Sequence, residues 1–125
     1  MPNLLYVLIG GAAGAGLRYE TGRLALARLG PGFPWGTLAV NLAGGLAMGL
    51  LAGAMVEQGR ADRPLWLLLG VGVLGGFTTF SAFSLDMFAM LERGQAGLAL
   101  GYAAASVAGA LALLCAGWWL ARALA

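Results

Sequence analysis

The 125-residue chain has no histidine and no lysine, a single cysteine (Cys115) and only 10% charged residues. Catalytic triads and zinc sites depend on histidine or several cysteines, and a disulfide needs two cysteines, so the chain can build none of them by itself. We therefore expect that the protein is not an enzyme. Its net charge of +2 is too small for a nucleic-acid footprint, so we expect no nucleic-acid partner.

Apolar residues make up 61% of the chain, and its charged fraction lies far below the value of about a quarter found in soluble domains. The composition therefore predicts an integral membrane protein solvated by the lipid bilayer. Since a membrane-spanning helix needs about 20 mainly apolar residues, four spans fill the chain. We predict one all-α transmembrane domain, residues 1–125, with spans at about 3–29, 34–56, 65–91 and 97–121.

The third predicted span is too long for a straight helix. Its 27 residues would extend roughly 40 Å at about 1.5 Å each, against a hydrocarbon core of about 30 Å. Glycines and hydroxyl residues in segment 75–81, centred on Thr78, predict a break at mid-membrane. Backbone carbonyls freed at such a break either coordinate a small cation or accept hydrogen bonds from nearby hydroxyls.

Small residues recur at helical spacing in three of the predicted spans. They are Gly10 and Gly14 in the first span, Gly45, Gly49 and Gly53 in the second, and Gly97 and Gly101 in the fourth. This spacing predicts close packing of the helix backbones.

Arginines are distributed evenly between the two sides of the predicted bundle. One side carries Arg60, Arg63 and Arg122, and the other carries Arg23, Arg28 and Arg93. Because an arginine bias is what orients a membrane protein, this tie predicts dual topology and an antiparallel homodimer. A two-fold axis in the membrane plane would bring the two helix breaks together. The alternative is that other features select one orientation.

Polar side chains within the spans form a second pattern. They are Thr37 and Asn41 in the second span, Thr78, Thr79, Ser81 and Ser84 around the break, and Tyr102 and Ser106 in the fourth span. Polar residues at membrane depth are costly and tend to face a cavity or another helix. A set rich in hydrogen-bond donors, without a central carboxylate, suits an anion. For each residue alone, the alternative is an interhelical or backbone hydrogen bond.

Two aromatic rings and one arginine extend this pattern. Phe80 and Phe83 are three residues apart, which predicts that they point to one side of a helix. Their positive ring edges can replace part of an anion's water shell, although core or lipid packing is the alternative. Arg18 either draws anions toward a pore mouth or pairs with Glu20 and snorkels.

Three segments resemble the Fluc (CrcB) fluoride channels of bacteria: GGAAGAGLRY at 10–19, GTLAVNLAGG at 36–45 and GGFTTFSAFS at 75–84. The resemblance extends over all four spans in order. It implies a dual-topology antiparallel homodimer in the bacterial inner membrane, with two fluoride pores and a structural sodium ion (Na+) at its centre. The implied function is passive export of cytoplasmic fluoride, which gives fluoride resistance.

The resemblance also implies roles for particular residues. Phe80 and Phe83 would meet fluoride with their ring edges, and Asn41 would donate its amide. The other implied pore residues are Tyr102, Ser106, Thr37, Thr79, Ser81, Ser84 and Arg18, and the sodium ligands would be the backbone carbonyls of Gly75 and Thr78. Position 82 is alanine, where the family usually has threonine, so Ala82 is not counted among the pore residues.

The main alternative function is that of a small multidrug-type exporter, which exchanges protons for cations through a membrane carboxylate. Glu20 is the candidate in the first span, but it lies between Arg18 and Arg23, which favour its ionised form. That setting is poor for a carboxylate that must take up protons. Asp86 and Arg93, seven residues apart, are interpreted as an ion pair without a function.

Overall fold

The computed structural model describes residues 2–55 and 63–124, which form helices and turns without a strand. The helices are α1 (Pro2–Leu29), α2 (Trp35–Met55), α3 (residues 64–77), α4 (Ser81–Glu92) and α5 (Ala96–Leu124). The predicted all-α class is therefore confirmed for the described residues. Arg60 and the last residue of the predicted span 34–56 lie outside them.

Three helical segments of the described chain are long and apolar enough to cross a membrane: Trp35–Met55, Pro64–Glu92 and Ala96–Leu124. The protein is accordingly a multi-pass membrane protein. Helix α1 has 28 residues, a comparable length, but it carries four charged residues in its second half, at positions 18, 20, 23 and 28.

The closest helix pair is α2 and α5, and it is built on the glycines of α2. A Cβ atom added at Gly45 would lie 2.7 Å from the carbonyl oxygen of Ala110, and one added at Gly53 would lie 2.7 Å from that of Trp118. Gly49 is buried between them. Since real Cβ atoms do not approach so closely, the backbones are in direct contact, as the glycine spacing predicted.

Helix α1 packs on α3 in the same way. Gly10 and Gly14 are buried, and a Cβ added at Gly10 would lie 2.9 Å from the Cα atom of Gly72. By contrast, Cβ atoms added at Gly97 and Gly101 would meet no atom within 4 Å in the described chain. The spacing of that pair does not lead to helix packing within one chain.

The third span is broken, as predicted, but its first half is wound differently from the expected α-helix. Helix α3 contains a π-helical stretch, Leu67–Leu74, followed by the α-helical turn Gly75–Phe77. The chain then becomes extended at Thr78 (φ −83°, ψ 159°) and α4 begins three residues later. The break therefore follows the glycines and does not lie on them.

Glycines in the left-handed region end α1 and α4. Gly30 has φ +79° and donates its N–H to the carbonyl of Leu26, and Gly94 has φ +74° and donates to Leu91. Glycine is the residue that adopts this conformation without steric cost, so both chain reversals are specified locally.

Candidate functional site

Asn41 of α2 holds the break in the third span. Its Nδ2 donates to the carbonyl of Thr79 at 3.0 Å, and the N–H of Thr79 donates to its Oδ1 at 2.9 Å. In a continuous α-helix the N–H of Thr79 would donate to the carbonyl of Gly75. The side chain of Asn41 therefore replaces one helical hydrogen bond and leaves the Gly75 carbonyl without its usual donor.

The hydroxyl of Thr79 replaces a second helical hydrogen bond. It accepts the N–H of Ala82 at 3.1 Å, as a residue that caps the start of a helix does. In a continuous helix that N–H would go to the carbonyl of Thr78. Gly75 and Thr78, the two predicted sodium ligands, thus have carbonyls whose helical donors bind other acceptors, and such carbonyls can hold a small cation.

Two other hydroxyls near the break bind their own helical segments. The hydroxyl of Thr78 donates to the carbonyl of Leu74, and that of Ser84 donates to the carbonyl of Phe80, both at 2.9 Å. Ser81 is exposed at the first position of α4. Ser84 therefore makes the local backbone hydrogen bond that was the alternative to a position facing a cavity.

A cavity of about 530 Å³ lies between the break and α5. Its walls bring together seven of the predicted site residues: Asn41, Gly75, Thr78, Thr79, Phe80, Phe83 and Ser106. Ser106 is buried, and its Oγ has no hydrogen-bond partner among the described residues. Because an unpaired buried hydroxyl costs about 1–3 kcal/mol, an acceptor that reached the Ser106 hydroxyl from the cavity would be stabilised.

The two phenylalanines are neighbours but have different surroundings. Their ring centroids are 5.6 Å apart with planes tilted by 50°. Phe83 is buried, whereas Phe80 is 76% exposed. Both rings line the same cavity, although Phe80 precedes the first residue of α4.

Tyr102 lies outside this cavity, in an aromatic core between Phe33 and Phe83. Its hydroxyl donates to Oδ2 of Asp86 at 2.9 Å. The interpretation of Asp86 and Arg93 as an ion pair was wrong, because Nε of Arg93 donates to the side chain of Gln95 instead. Asp86 is a residue that the sequence reasoning missed, since its partner lies on another helix.

Arg18 and Thr37 line a second cavity, of about 560 Å³, on the α1 side of the break. Thr79 lines both cavities, so the break separates them. Nε of Arg18 donates to the carbonyl of Gly76 at 3.2 Å. Glu20 pairs with Arg23 at 2.8 Å, so the alternative in which Arg18 pairs with Glu20 is not the one formed.

The fold and site define a multi-pass helical membrane protein with a largely apolar cavity beside a broken span, into which few polar side chains are set. Residues 5–118 match the family described as CrcB-like protein, Camphor Resistance (CrcB). The chain belongs to this family, as its three sequence segments predicted.

Several relatives are similar over nearly their full length. The chain is 53% identical over 122 residues to a protein of Chelativorans sp. (strain BNC1), covering 98% of both chains. It is 52% identical to one of Sphingopyxis alaskensis and 56% identical to one of Phenylobacterium zucineum, covering 98% of this chain and 97% of theirs in both cases. Each of these relatives is named fluoride-specific ion channel FluC.

Proposed function

We propose that the protein is a fluoride-selective channel that lets cytoplasmic fluoride leave the cell passively and so gives fluoride resistance. The observation that carries this proposal is the buried, unpaired hydroxyl of Ser106 in a cavity shared with Asn41 and two phenylalanine rings. These groups offer hydrogen-bond donors and positive ring edges to an anion. The names of the relatives support fluoride as that anion.

The donors explain how a strongly hydrated anion can enter the membrane. Nδ2 of Asn41 carries two hydrogens, and Thr79 accepts one of them, so the other is available to the cavity. Selectivity requires that such donors together replace the water shell of the bound ion. A negative cell interior then favours outward movement by about 2.3 kcal/mol per charge for each 100 mV, without ATP or a coupled proton.

The same proposal includes four spans and an antiparallel, dual-topology homodimer in the bacterial inner membrane. The tie between arginines on the two sides supports dual topology. Phe80, exposed in a single chain, is a ring that a second copy can cover. The proposal also places a sodium ion on the carbonyls of Gly75 and Thr78, whose helical donors bind other acceptors, and there it would supply positive charge between two facing breaks.

Fluoride efflux from liposomes tests the proposal. The purified protein is reconstituted with valinomycin, which clamps the membrane potential, and fluoride release is followed with an electrode beside chloride-loaded vesicles. We expect fast fluoride release and negligible chloride release. A well-folded protein that releases no fluoride would contradict the channel.

A Glu20→Gln variant distinguishes the alternative, a proton-coupled cation exporter. Glu20 is exposed, is paired with Arg23 and does not line the cavity that contains Phe80 and Phe83. A fluoride channel is expected to keep its flux in this variant, whereas an exporter that depends on this carboxylate would lose its proton-coupled exchange.

Replacing Phe80 with isoleucine is expected to lower fluoride flux about tenfold or more, because an aliphatic side chain has no positive ring edge to offer an anion. Phe88→Ile is the matched control, since Phe88 is also exposed but lies further along α4, outside the cavity. Flux is measured in the liposome assay and dimer content by size-exclusion chromatography. Equal flux in the two variants would remove the Phe80 ring from the mechanism.

A further inference from the structure

Arg18 makes a contact that its sequence position did not reveal. It lies on α1, is partly buried, and donates from Nε to the carbonyl of Gly76 on α3, 58 residues away. In a continuous α-helix that carbonyl would accept the N–H of Phe80. Arg18 therefore stands where the backbone donor of Phe80 would stand if the third span were unbroken.

The Gly76 carbonyl is the one at the break that receives a side-chain donor from α1. The carbonyls of Gly75 and Thr78, on either side of it, have lost their helical donors to other acceptors. A Cβ added at Gly76 would lie 2.6 Å from the carbonyl oxygen of Gly11, so this peptide is also in backbone contact with α1. Helix α1 thus holds the Gly76 peptide, which lies between the carbonyls of Gly75 and Thr78.

We propose that Arg18 is a positioning residue: its Nε holds the third span open by occupying the Gly76 carbonyl in place of the Phe80 N–H. Its positive charge is secondary to this role. The inference rests on the proposed fluoride channel only where flux is the readout, because the hydrogen bond itself belongs to the fold.

A second arginine makes it possible to separate position from charge. Arg23 lines the same cavity as Arg18, but its side chain is 64% exposed and is paired with Glu20. The side-chain hydrogen bonds of Arg23 go to Glu20 and not to the break. Arg23→Gln therefore removes one positive charge from the cavity and leaves the Gly76 contact intact.

Two substitutions of Arg18 separate the effect of its hydrogen-bond donor from the effect of its positive charge. In glutamine, Nε2 is as many bonds from Cα as Nε is in arginine, so Arg18→Gln keeps the donor and removes the charge. In lysine a methylene occupies that place, so Arg18→Lys keeps the charge but moves the donor one bond further from Cα.

In the liposome assay at high fluoride concentration, we expect Arg23→Gln to stay close to the unmodified protein and Arg18→Gln to carry more fluoride than Arg18→Lys. We expect Arg18→Lys to lose flux about tenfold, in line with the loss of a charged hydrogen bond. Normal flux in Arg18→Lys together with strongly reduced flux in Arg18→Gln would overturn the proposal and assign Arg18 an electrostatic role.

Hydrogen–deuterium exchange gives a readout that does not depend on fluoride. The N–H groups of Thr79 and Ala82 are held by Asn41 and by the Thr79 hydroxyl, next to the peptide that Arg18 grips. We expect exchange in segment 79–82 to become about tenfold faster in Arg18→Lys, and to be unchanged in Arg18→Gln and Arg23→Gln.

The two readouts separate the possible failures. If the unmodified protein carries no fluoride, the proposed channel fails, but the exchange rates still decide the role of Arg18. Equal exchange in Arg18→Lys and Arg18→Gln would overturn the positioning role, and so would an Arg18→Gln protein that does not fold.

Discussion

Replacing Asn41 with alanine is expected to abolish fluoride flux. The change removes both hydrogen bonds to Thr79 and also the amide hydrogen that is available to the cavity. Each lost bond that leaves a buried partner unpaired costs about 1–3 kcal/mol. The break then loses its contact with α2, and the anion loses a donor at the same time. The liposome assay measures the flux, and exchange in segment 79–82 reports on the break.

Asn41→Asp separates these two effects. A carboxylate can still accept the N–H of Thr79, but it has no hydrogen to donate and adds negative charge beside the anion path. We expect no flux in this variant, with slower exchange at Thr79 than in Asn41→Ala. The control is Asn3→Ala, since Asn3 is the other asparagine and is exposed near the start of α1. Flux in Asn41→Ala comparable to the control would exclude Asn41 from conduction.

Gly49→Ala is expected to prevent stable folding. A Cβ at this position would overlap the carbonyl oxygen of Leu114, at the centre of the contact between α2 and α5. Backbone atoms cannot rotate aside as a side chain can, so the two helices must separate. Overpacking of this kind typically costs about 1–3 kcal/mol and sometimes more, and we expect the upper end. Thermal unfolding in detergent, followed by size-exclusion chromatography, measures the loss.

Gly97→Ala is the matched control for Gly49→Ala. Both positions are glycines within a helix, but a Cβ at Gly97 meets nothing within 4 Å in the described chain. Because alanine is a better helix former than glycine by about 1 kcal/mol, this variant should be as stable as the unmodified protein or slightly more so. Similar unfolding temperatures for the two variants would show that the α2–α5 contact does not depend on Gly49.

Much of the fold follows from local features of the sequence. The apolar runs and the loop glycines Gly30 and Gly94 set the helices and their ends, because hydrophobic length and backbone conformation are local properties. The break was also predictable, since a straight helix of that length does not match the membrane. Its position also agrees with the sequence, because the extended residue Thr78 is the centre of the predicted segment 75–81; the hydrogen bonds that interrupt the helix, however, involve Asn41, 38 residues from Thr79, and were not predicted.

The remaining site features depend on which helices meet. The spacing of Gly97 and Gly101 is as regular as that of Gly45 and Gly49. Within the described chain, however, only Gly45 and Gly49 lie against the backbone of another helix. Likewise, no pattern near Asp86 indicates that Tyr102 is its partner. Small residues and polar groups in the sequence show which contacts a helix surface can make, whereas the tertiary arrangement decides which of these contacts form.

The π-helical stretch Leu67–Leu74 affects the direction in which the residues after it point more than it affects the length of the third span. A π-helix takes more residues for each turn than an α-helix, so it changes the angular phase of every residue that follows. Deleting one residue there and rewinding the stretch as an α-helix would change the length of the span little, because a π-helix rises less per residue than an α-helix. It would, however, swing Thr78 and Thr79 around the helix axis. The winding of this stretch therefore sets the direction in which the residues of the break face.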